Sequence, residues 1–313
     1  MIPVIDVAPL RSGDADGLKS VADQVGAACR GIGFFAITGH GVPAALRKAV
    51  FDASSAFFSL PEADKLAVVH GPQTGNRGYV PMEGEALDPS KPADLKEAYN
   101  IGLDLAPDDP ELVAGQKFRA PNLWPELPDF RQTMLAYFDA VWDLGRTLHR
   151  AFAVDLGLNP DYFADTLDRP LAILRLLHYP QRLEGGRADQ LGAGAHTDYG
   201  NVTLLATDAV GGLEIRTRDG RWINAPTFQD AFVCNIGDCL MRWTNDVYVS
   251  TPHRVTNPLS CERYSVAFFL DPNPNAIIEC LPTCTDAENP PRYQPIRGDD
   301  YLESRLKATY EGH

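Results

Sequence analysis

The sequence predicts a mainly β protein: helices flank a C-terminal antiparallel β-barrel or sandwich, and an α/β region precedes it. After Pro170 the 313-residue chain becomes a series of short β-rich runs separated by Gly, Pro, Asn and Asp. Such runs with regular turn signals are the pattern of an antiparallel barrel or sandwich. Before them, residues 127–155 carry apolar side chains at helical spacing, which indicates one long amphipathic helix.

The N-terminal part alternates between strand and helix signals. It opens with PVIDV, a short strand, and residues 17–32 then place apolar side chains at helical spacing. The stretch GFFAITGHGVP indicates a strand that ends in a glycine-rich turn. A second helix is predicted from about Ala44 and ends before Pro61, because proline cannot donate the next backbone hydrogen bond.

The chain divides into two regions that we expect to form one integrated unit. Residues 1–125 are the N-terminal α/β region, and their last part, residues 70–125, is rich in Gly and Pro. An irregular segment of that length is often a lid or a binding loop. Residues 126–313 contain the long helix and the β-rich core, and the closing stretch GDDYLESRLKATY predicts a final helix.

The formal net charge of −14 argues against two classes of partner. An acidic surface repels phosphate backbones and anionic lipids, so neither nucleic acid nor a membrane is expected as a partner. No apolar run approaches the about 20 residues that span a bilayer, and the N-terminus does not resemble a signal peptide. The six cysteines form no CxxC pair and are expected to be reduced and mostly buried, as in a cytoplasmic protein.

A histidine and an aspartate lie two residues apart in GAHTDYG. Side chains alternate across a strand, so His196 and Asp198 are expected to share one face and to offer two metal ligands. A third ligand must come from elsewhere, and His253 enters a β-rich run downstream in STPHRVTNP. Two histidines and one carboxylate form the facial set that holds non-haem Fe(II), and the absence of cysteine ligands argues against structural zinc.

Three other histidines have simpler interpretations. His40 ends a predicted strand and is expected to pack or to cap, and His149 lies on the long helix as a structural or surface residue. In ILRLLHYP the period of two places His178 on the face opposite to Tyr179. If Tyr179 faces the barrel interior, His178 does not.

A buried arginine is predicted on the strand in ERYSVAFFLDP. The period of two gives one face of this strand the residues Arg263, Ser265, Ala267 and Phe269. An inward-facing guanidinium must be paired, and beside a hydroxyl it makes a good socket for a carboxylate. If no acid of the protein fills this socket, the acid of a ligand should.

The ordered set His196-x-Asp198, His253 and Arg263-x-Ser265 resembles the iron(II)/2-oxoglutarate-dependent dioxygenases, specifically the isopenicillin N synthase-like family. Flanking stretches fall in the family's order. IPVIDVAPL and GFFAITGHGVP resemble its N-terminal region, and RGYVPMEGEALDPSKPADLKEAYNIG resembles its middle. GGLEIRTRDGRWINAPTFQDAFVCNIGDCLMRWTND resembles its barrel, so the resemblance covers nearly the whole chain.

The resemblance implies a double-stranded β-helix, or jelly-roll, core with iron near one mouth. The catalytic Fe(II) ligands would be His196, Asp198 and His253. Oxidative decarboxylation of 2-oxoglutarate by O2 would give succinate and CO2, and hydroxylation of a small-molecule substrate would be the default outcome. Desaturation and ring closure stay open.

The resemblance also implies a pocket for the co-substrate. The distal carboxylate of 2-oxoglutarate would pair with Arg263 and accept hydrogen bonds from Ser265 and from Tyr179. Many members of the family have Asn-x-Tyr-Pro where this chain has LHYP, so Tyr179 is kept and Leu177 stands at the asparagine position. The co-substrate contacts of this strand therefore stay open.

Four residues are candidate substrate contacts. Phe269 follows the Arg-x-Ser pair on the same face, and Arg175 shares the face of Tyr179, where it would hold a substrate carboxylate or form a structural salt bridge. Arg77 and Tyr79 lie in the irregular stretch NRGYVP and would belong to a lid.

Two other functions compete with a 2-oxoglutarate-dependent oxygenase. One is an Fe(II) oxidase of the same fold that takes no 2-oxoglutarate, like isopenicillin N synthase or the ethylene-forming aminocyclopropanecarboxylate oxidase. The Arg-x-Ser pair does not exclude it, since those relatives use the pair for another carboxylate. The other is a jelly-roll binding module that has lost its iron, which an intact ligand set disfavours. Substrate identity and oligomeric state stay open.

Overall fold

The computed structural model describes residues 2–71, 73–182, 187, 189–228, 230–257 and 261–310, the side chains of 308–310 excepted. The strands are β1 (Val4–Asp6), β2 (Phe34–Thr38), β3 (Gly78–Val80), β4 (Glu97–Gly102), β5 (Ile173–Tyr179), β6 (Ala193–His196), β7 (Val202–Thr207), β8 (Leu213–Arg216), β9 (Trp222–Asn224), β10 (Phe232–Ile236), β11 (His253–Val255), β12 (Arg263–Leu270), β13 (Ile277–Ile278) and β14 (Ile296–Arg297). The α-helices are α1 (Ala15–Gly31), α2 (Ala44–Phe58), α3 (Glu62–Leu66), α4 (Pro110–Val113), α5 (Phe130–Asp155), α6 (Asp238–Trp243) and α7 (Gly298–Tyr310). Short 3-10 turns occur at Ala8–Arg11, Ala164–Thr166 and Pro282–Cys284.

Two sheets form the centre of the fold. The larger has eight strands in the order β1-β2-β10-β7-β12-β5-β4-β3, and the smaller has four in the order β6-β11-β8-β9. Their pairings are antiparallel except for β1 with β2. Residues of both sheets line a shared cavity. The prediction of a mainly β protein with flanking helices is therefore confirmed.

The long helix α5 covers the face of the larger sheet that points away from the cavity. It begins at Phe130, three residues later than the pattern predicts. The ring of Phe138 meets the ring of Phe268 edge-on, with 5.0 Å between centroids. Gly145 permits the close approach, because a Cβ there would lie 2.6 Å from the Leu270 side chain. Packing of this kind fixes which face of β12 points inward.

The N-terminal helix α1 begins where its sequence allows a cap. The Asp14 carboxylate accepts hydrogen bonds from the backbone N–H groups of Asp16 and Gly17, at 3.2 and 3.1 Å. This satisfies two donors that have no partner within the helix. The predicted strands at PVIDV and GFFAITGHGVP, the helix from Ala44 and the final helix are also present as β1, β2, α2 and α7.

The predicted irregular segment 70–125 is only partly irregular. It contains β3 and β4, which complete one edge of the larger sheet next to β5. All six residues of β4 are buried, so its two faces carry no polar–apolar alternation. A strand buried on both faces lacks the period of two that sequence analysis detects.

The cysteines of the described chain are unpaired, as their spacing predicts. All six cysteines are free, and four of them are buried, with Cys261 exposed and Cys280 partly buried. Among the described helices, none combines the length and the apolar character that a bilayer crossing requires.

Candidate active site

Three predicted metal ligands converge at one end of the cavity between the sheets. The Oδ1 atom of Asp198 lies 3.7 Å from Nε2 of His196 and 3.6 Å from Nε2 of His253. The three ligand atoms all lie within 4.8 Å of one another. Two imidazole nitrogens and one carboxylate oxygen suit a non-haem iron, and this set leaves coordination positions for other ligands.

The register of β6 and β11 places the two histidines opposite each other, and the segment that follows β6 places the aspartate beside them. His196 on β6 lies directly opposite His253 on β11. β6 ends at His196, so Asp198 lies in the following turn and not on the strand. The predicted convergence of His196 and Asp198 is present, with Asp198 two residues past the end of the strand. The backbone N–H of Asp238 donates to the carbonyl of Asp198 at 2.8 Å and holds this turn.

Outer hydrogen bonds orient each of the three side chains. Nδ1 of His196 contacts the carbonyl of Gly194 at 2.8 Å, and Nδ1 of His253 contacts the carbonyl of Thr251 at 3.1 Å. A carbonyl can only accept, so each Nδ1 carries the proton and each Nε2 presents a lone pair toward the centre. Partners of this kind fix the tautomer and ring orientation of a metal-binding histidine.

The aspartate is oriented in the same way. Its Oδ2 accepts from the hydroxyl of Thr203 at 2.5 Å and from the amide of Asn235 at 2.7 Å. These bonds leave Oδ1 directed at the two imidazoles. Burial opposes ionisation of Asp198, but the neighbouring imidazoles and the two donors hold its pKa below the usual range. Burial and the adjacent His253 lower the pKa of His196, which favours the neutral form of that imidazole.

Thr203→Val is expected to lower the affinity for Fe(II) about 10- to 100-fold, the usual effect of removing an outer partner of a metal ligand. The isosteric valine deletes the hydroxyl that orients Asp198 and preserves the packing of β7. Anaerobic titration of the purified variant with Fe(II) measures the change. Thr217→Val is the matched control, because that hydroxyl bonds Arg221 in an exposed turn. Equal affinities for both variants would contradict the role of Thr203.

The predicted carboxylate socket lies in the same cavity on β12 and β5. The Arg263 guanidinium is buried; its Nε donates to the carbonyl of Gly211 at 2.6 Å and its Nη1 to Oγ of Ser265 at 3.2 Å. Its central carbon lies 4.7 Å from the ring centre of Tyr179. No carboxylate of the described chain lies within ion-pair distance of it. The buried positive charge therefore needs an acid from a ligand.

Both strands place their residues as the period of two predicts. Arg263 pairs in register with Tyr179, and Ser265 pairs with Leu177. Tyr179 and Leu177 line the cavity, so an apolar side chain takes the asparagine position of the LHYP stretch. His178 points to the opposite face, where its ring stacks on Tyr264 with 4.8 Å between centroids.

The metal ligands and the socket line one cavity of about 180 Å³ whose lining is mostly apolar. Apolar residues from both sheets contribute to it, including Leu177, Leu205, Leu213, Val255, Ala267 and Phe269. A second cavity of about 450 Å³ adjoins it, shares Arg175 and Tyr199 with it, and is lined by part of the segment 83–93. Leu306 of α7 lines both cavities. The C-terminal helix and the segment 83–93 therefore contribute to the walls of both cavities.

Two of the four candidate substrate residues lie in the cavity. Phe269 is part of the lining next to the socket. Arg175 also lines the cavity, and its Nη2 forms an ion pair with Glu85 at 2.6 Å. Burial opposes ionisation of Glu85, but Arg175 and Lys96 lower its pKa to about 2. Arg175 therefore has the structural salt bridge that the sequence left as an alternative.

The other two candidates are corrected by the structure. Arg77 is buried and donates from Nη1 to the carbonyls of Gly75 and Phe118, at 2.8 and 2.9 Å, so it ties loops together. Tyr79 lies on β3 and donates its hydroxyl to Glu97 at 2.6 Å. Neither belongs to the lining of the two cavities. Their assignment to a lid was inferred from the irregular composition of the segment. The presence of β3 and β4 in this segment contradicts that assignment.

Three charged groups of the cavity were not identified from the sequence: Lys96, Asp271 and Glu85, the partner of Arg175. Lys96 lines the cavity and pairs with Asp94, whose Oδ1 also accepts from the backbone N–H of Gly194 at 2.8 Å. No short motif signals this arrangement, because Asp94 and Gly194 lie 100 residues apart. Asp271 also lines the cavity, and here a signal existed. The period of two that places Arg263 inward continues to residue 271.

A protein with two facing sheets that holds a His–Asp–His metal set beside a socket for a carboxylate is a non-haem iron oxygenase with an acidic co-substrate. Comparison with known proteins supports this class. The family model for the non-haem dioxygenase in morphine synthesis N-terminal region matches residues 2–127. The model for the 2OG-Fe(II) oxygenase superfamily matches residues 170–272.

Similar proteins extend over nearly the whole chain. The 2-oxoglutarate-Fe(II) type oxidoreductase hxnY of Emericella nidulans is 36% identical over 98% of this chain and 90% of its own length. Homoarginine-6-hydroxylase of Oryza sativa subsp. japonica is 38% identical over 99% of this chain and 97% of its own. The crystal structure of a full-length Neurospora crassa protein in complex with alpha-KG and thymine is 34% identical, covers 99% of this chain and 97% of its own, and superposes with a TM-score of 0.88.

The chain belongs to the 2-oxoglutarate/Fe(II)-dependent dioxygenases. It is an oxidoreductase with a jelly-roll core that uses Fe(II), 2-oxoglutarate and O2. The family, the fold and the cofactors predicted from the sequence are confirmed. The lost-iron binding module and the oxidase without 2-oxoglutarate are disfavoured by the same comparisons.

Proposed function

We propose that this enzyme hydroxylates a small molecule at the inner end of the cavity, with Fe(II) held by His196, Asp198 and His253. One observation carries the proposal. The three ligand atoms and the buried Arg263 guanidinium, which has no ion-pair partner in the described chain, face the same cavity. A dicarboxylate that reaches from the metal to an arginine satisfies both ends at once.

The chain's residues then have separate tasks. Arg263 and Ser265 bind the distal carboxylate of 2-oxoglutarate, and the Tyr179 ring holds the guanidinium in place. Iron, when bound, supplies the O2 chemistry that oxidises the co-substrate and the substrate. The apolar lining keeps water from the reacting atoms. Phe269 would contact the substrate directly, and the Arg175–Glu85 pair would border it.

The cavity sizes support a small-molecule substrate. A cavity of about 180 Å³, lined by the metal ligands and Arg263, accommodates small molecules and not a folded macromolecule. Two similar proteins are also associated with small molecules: the rice protein is named for homoarginine, and the Neurospora structure contains thymine. The free cysteines support a reducing compartment, and we propose the cytoplasm.

Hydroxylation is tested by following the oxygen atoms. The enzyme is incubated with Fe(II), 2-oxoglutarate, ascorbate and isotopically labelled O2 across a panel of amino acids, nucleobases and aromatic acids. We expect one labelled oxygen atom in succinate and one in the product of any compound that stimulates turnover. A product that has lost two hydrogens and gained no oxygen would replace hydroxylation by desaturation or ring closure. Product without succinate would establish the oxidase that takes no 2-oxoglutarate.

A further inference from the structure

The charged groups that line the cavity are matched with opposite charges, with one exception in the described chain. Arg175 pairs with Glu85, and Lys96 pairs with Asp94. In the enzyme loaded with metal and co-substrate, the metal balances the charge of Asp198. The distal carboxylate of 2-oxoglutarate balances the charge of Arg263. The exception is Asp271.

Asp271 is a buried carboxyl group without a partner among the described residues. It follows β12, lines the cavity and is only 8% exposed. Its Oδ1 is buried without a hydrogen bond to any described residue, and its side chain forms no ion pair there. Oδ1 packs against Gly200, where a Cβ would lie 1.6 Å from it, so Gly200 provides the space for this carboxyl group.

An ionised carboxyl group in this environment is energetically unfavourable unless a cation or a hydrogen-bond donor pairs with it. Burial of an unpaired ionised group is strongly unfavourable. Unsatisfied polar groups of this kind concentrate at functional sites, where a bound molecule supplies the missing partner. The cavity is the accessible direction from which such a partner can come.

We propose that Asp271 is a specificity-determining residue that binds a positively charged nitrogen group of the substrate, so that the enzyme acts on a small amine, amidine or guanidine. This inference rests on the proposed function and adds the chemical class of its substrate. A protonated nitrogen would complete the charge balance of the loaded cavity and donate a hydrogen bond to the carboxylate of Asp271. A neutral or anionic substrate would leave that charge unmatched.

Matched pairs of small molecules test the proposal on the full-length enzyme loaded with Fe(II) and 2-oxoglutarate. Agmatine is compared with carbamoylputrescine, arginine with citrulline, and benzylamine with benzyl alcohol. Binding is measured anaerobically by calorimetry, and succinate formation is measured in air. At least one cationic member is expected to bind at least about tenfold more tightly than its neutral partner. The Asp271→Asn variant is expected to lose that preference, mainly through KM.

The control and the contrary outcomes are defined by the same measurements. Asp165→Asn removes one negative charge from an exposed position and is expected to keep the preference. Asp271→Asn is also expected to raise the Tm of the ligand-free protein by about 2 °C, because the unpaired buried charge is gone. The inference is overturned if no cationic member binds better than its neutral partner, or if Asp271→Asn keeps the preference. Absence of 2-oxoglutarate binding by the wild-type iron enzyme would instead overturn the proposed function.

Discussion

Replacing Asp198 by alanine is expected to abolish succinate formation and to weaken Fe(II) binding beyond the roughly 10- to 100-fold that loss of an outer hydrogen bond causes. Asp198 supplies the one anionic ligand of the set and lies within 3.7 Å of both imidazoles. Its removal leaves two neutral nitrogens, which cannot offset the charge of the metal. Anaerobic Fe(II) titration and an assay of succinate measure the two effects separately.

The control for this variant must lose a carboxylate elsewhere. Asp165→Ala removes an exposed aspartate and is expected to behave as the wild type. The Asp198→Ala protein is expected to fold, because it loses a buried charge and leaves two donors that water can reach from the cavity. A circular dichroism spectrum and a Tm near that of the wild type verify this. Wild-type iron affinity in Asp198→Ala would show that this carboxylate is not a ligand.

Arg263→Ala is expected to raise the apparent KM for 2-oxoglutarate at least about 30-fold, and to leave Fe(II) binding nearly intact. The reason is that the variant removes the partner of a desolvated carboxylate, a loss of about 2–5 kcal/mol for buried charge pairs. The metal ligands lie on β6, β11 and the turn after β6, so they keep their own hydrogen bonds. Initial rates of succinate formation over a range of 2-oxoglutarate concentrations measure the effect.

The chain offers a matched arginine for comparison. Arg254 lies on β11 and pairs with Glu214 at 2.6 Å, with its guanidinium 4.2 Å from the ring centre of Trp222. Arg254→Ala is expected to change the KM for 2-oxoglutarate less than about threefold, since Arg254 is not among the described residues that line the cavity and its ion pair contributes little. Near-wild-type turnover of Arg263→Ala at low 2-oxoglutarate would refute the socket.

Much of the site could be predicted from the sequence because strand periodicity determines it. The period of two on β12 correctly placed Arg263 and Ser265 inward, and on β5 it separated Tyr179 from His178. The turn signals after Pro170 likewise marked the strands of the barrel. Local patterns of this kind are set by neighbouring residues, so the sequence displays them directly.

The remainder depends on contacts between distant segments. β3 and β4 were missed because both faces of β4 are buried, which removes the alternation that marks a strand. Arg77 was misassigned because its partner, the carbonyl of Phe118, lies 41 residues away. Asp198 lies two residues past the end of β6, where the backbone N–H of the distant Asp238 donates to its carbonyl. The period of two that identified Arg263 also predicts an inward-facing side chain at Asp271, two residues past Phe269.

The most direct test of the central claim is succinate formation from 2-oxoglutarate by the wild-type enzyme loaded anaerobically with Fe(II) and then exposed to air. The enzyme is compared with itself after removal of the metal by a chelator. We predict succinate only from the iron-loaded enzyme, and a higher rate with at least one compound of the panel. An enzyme that binds Fe(II) but forms no succinate, with or without these compounds, would contradict the assignment of this cavity to 2-oxoglutarate.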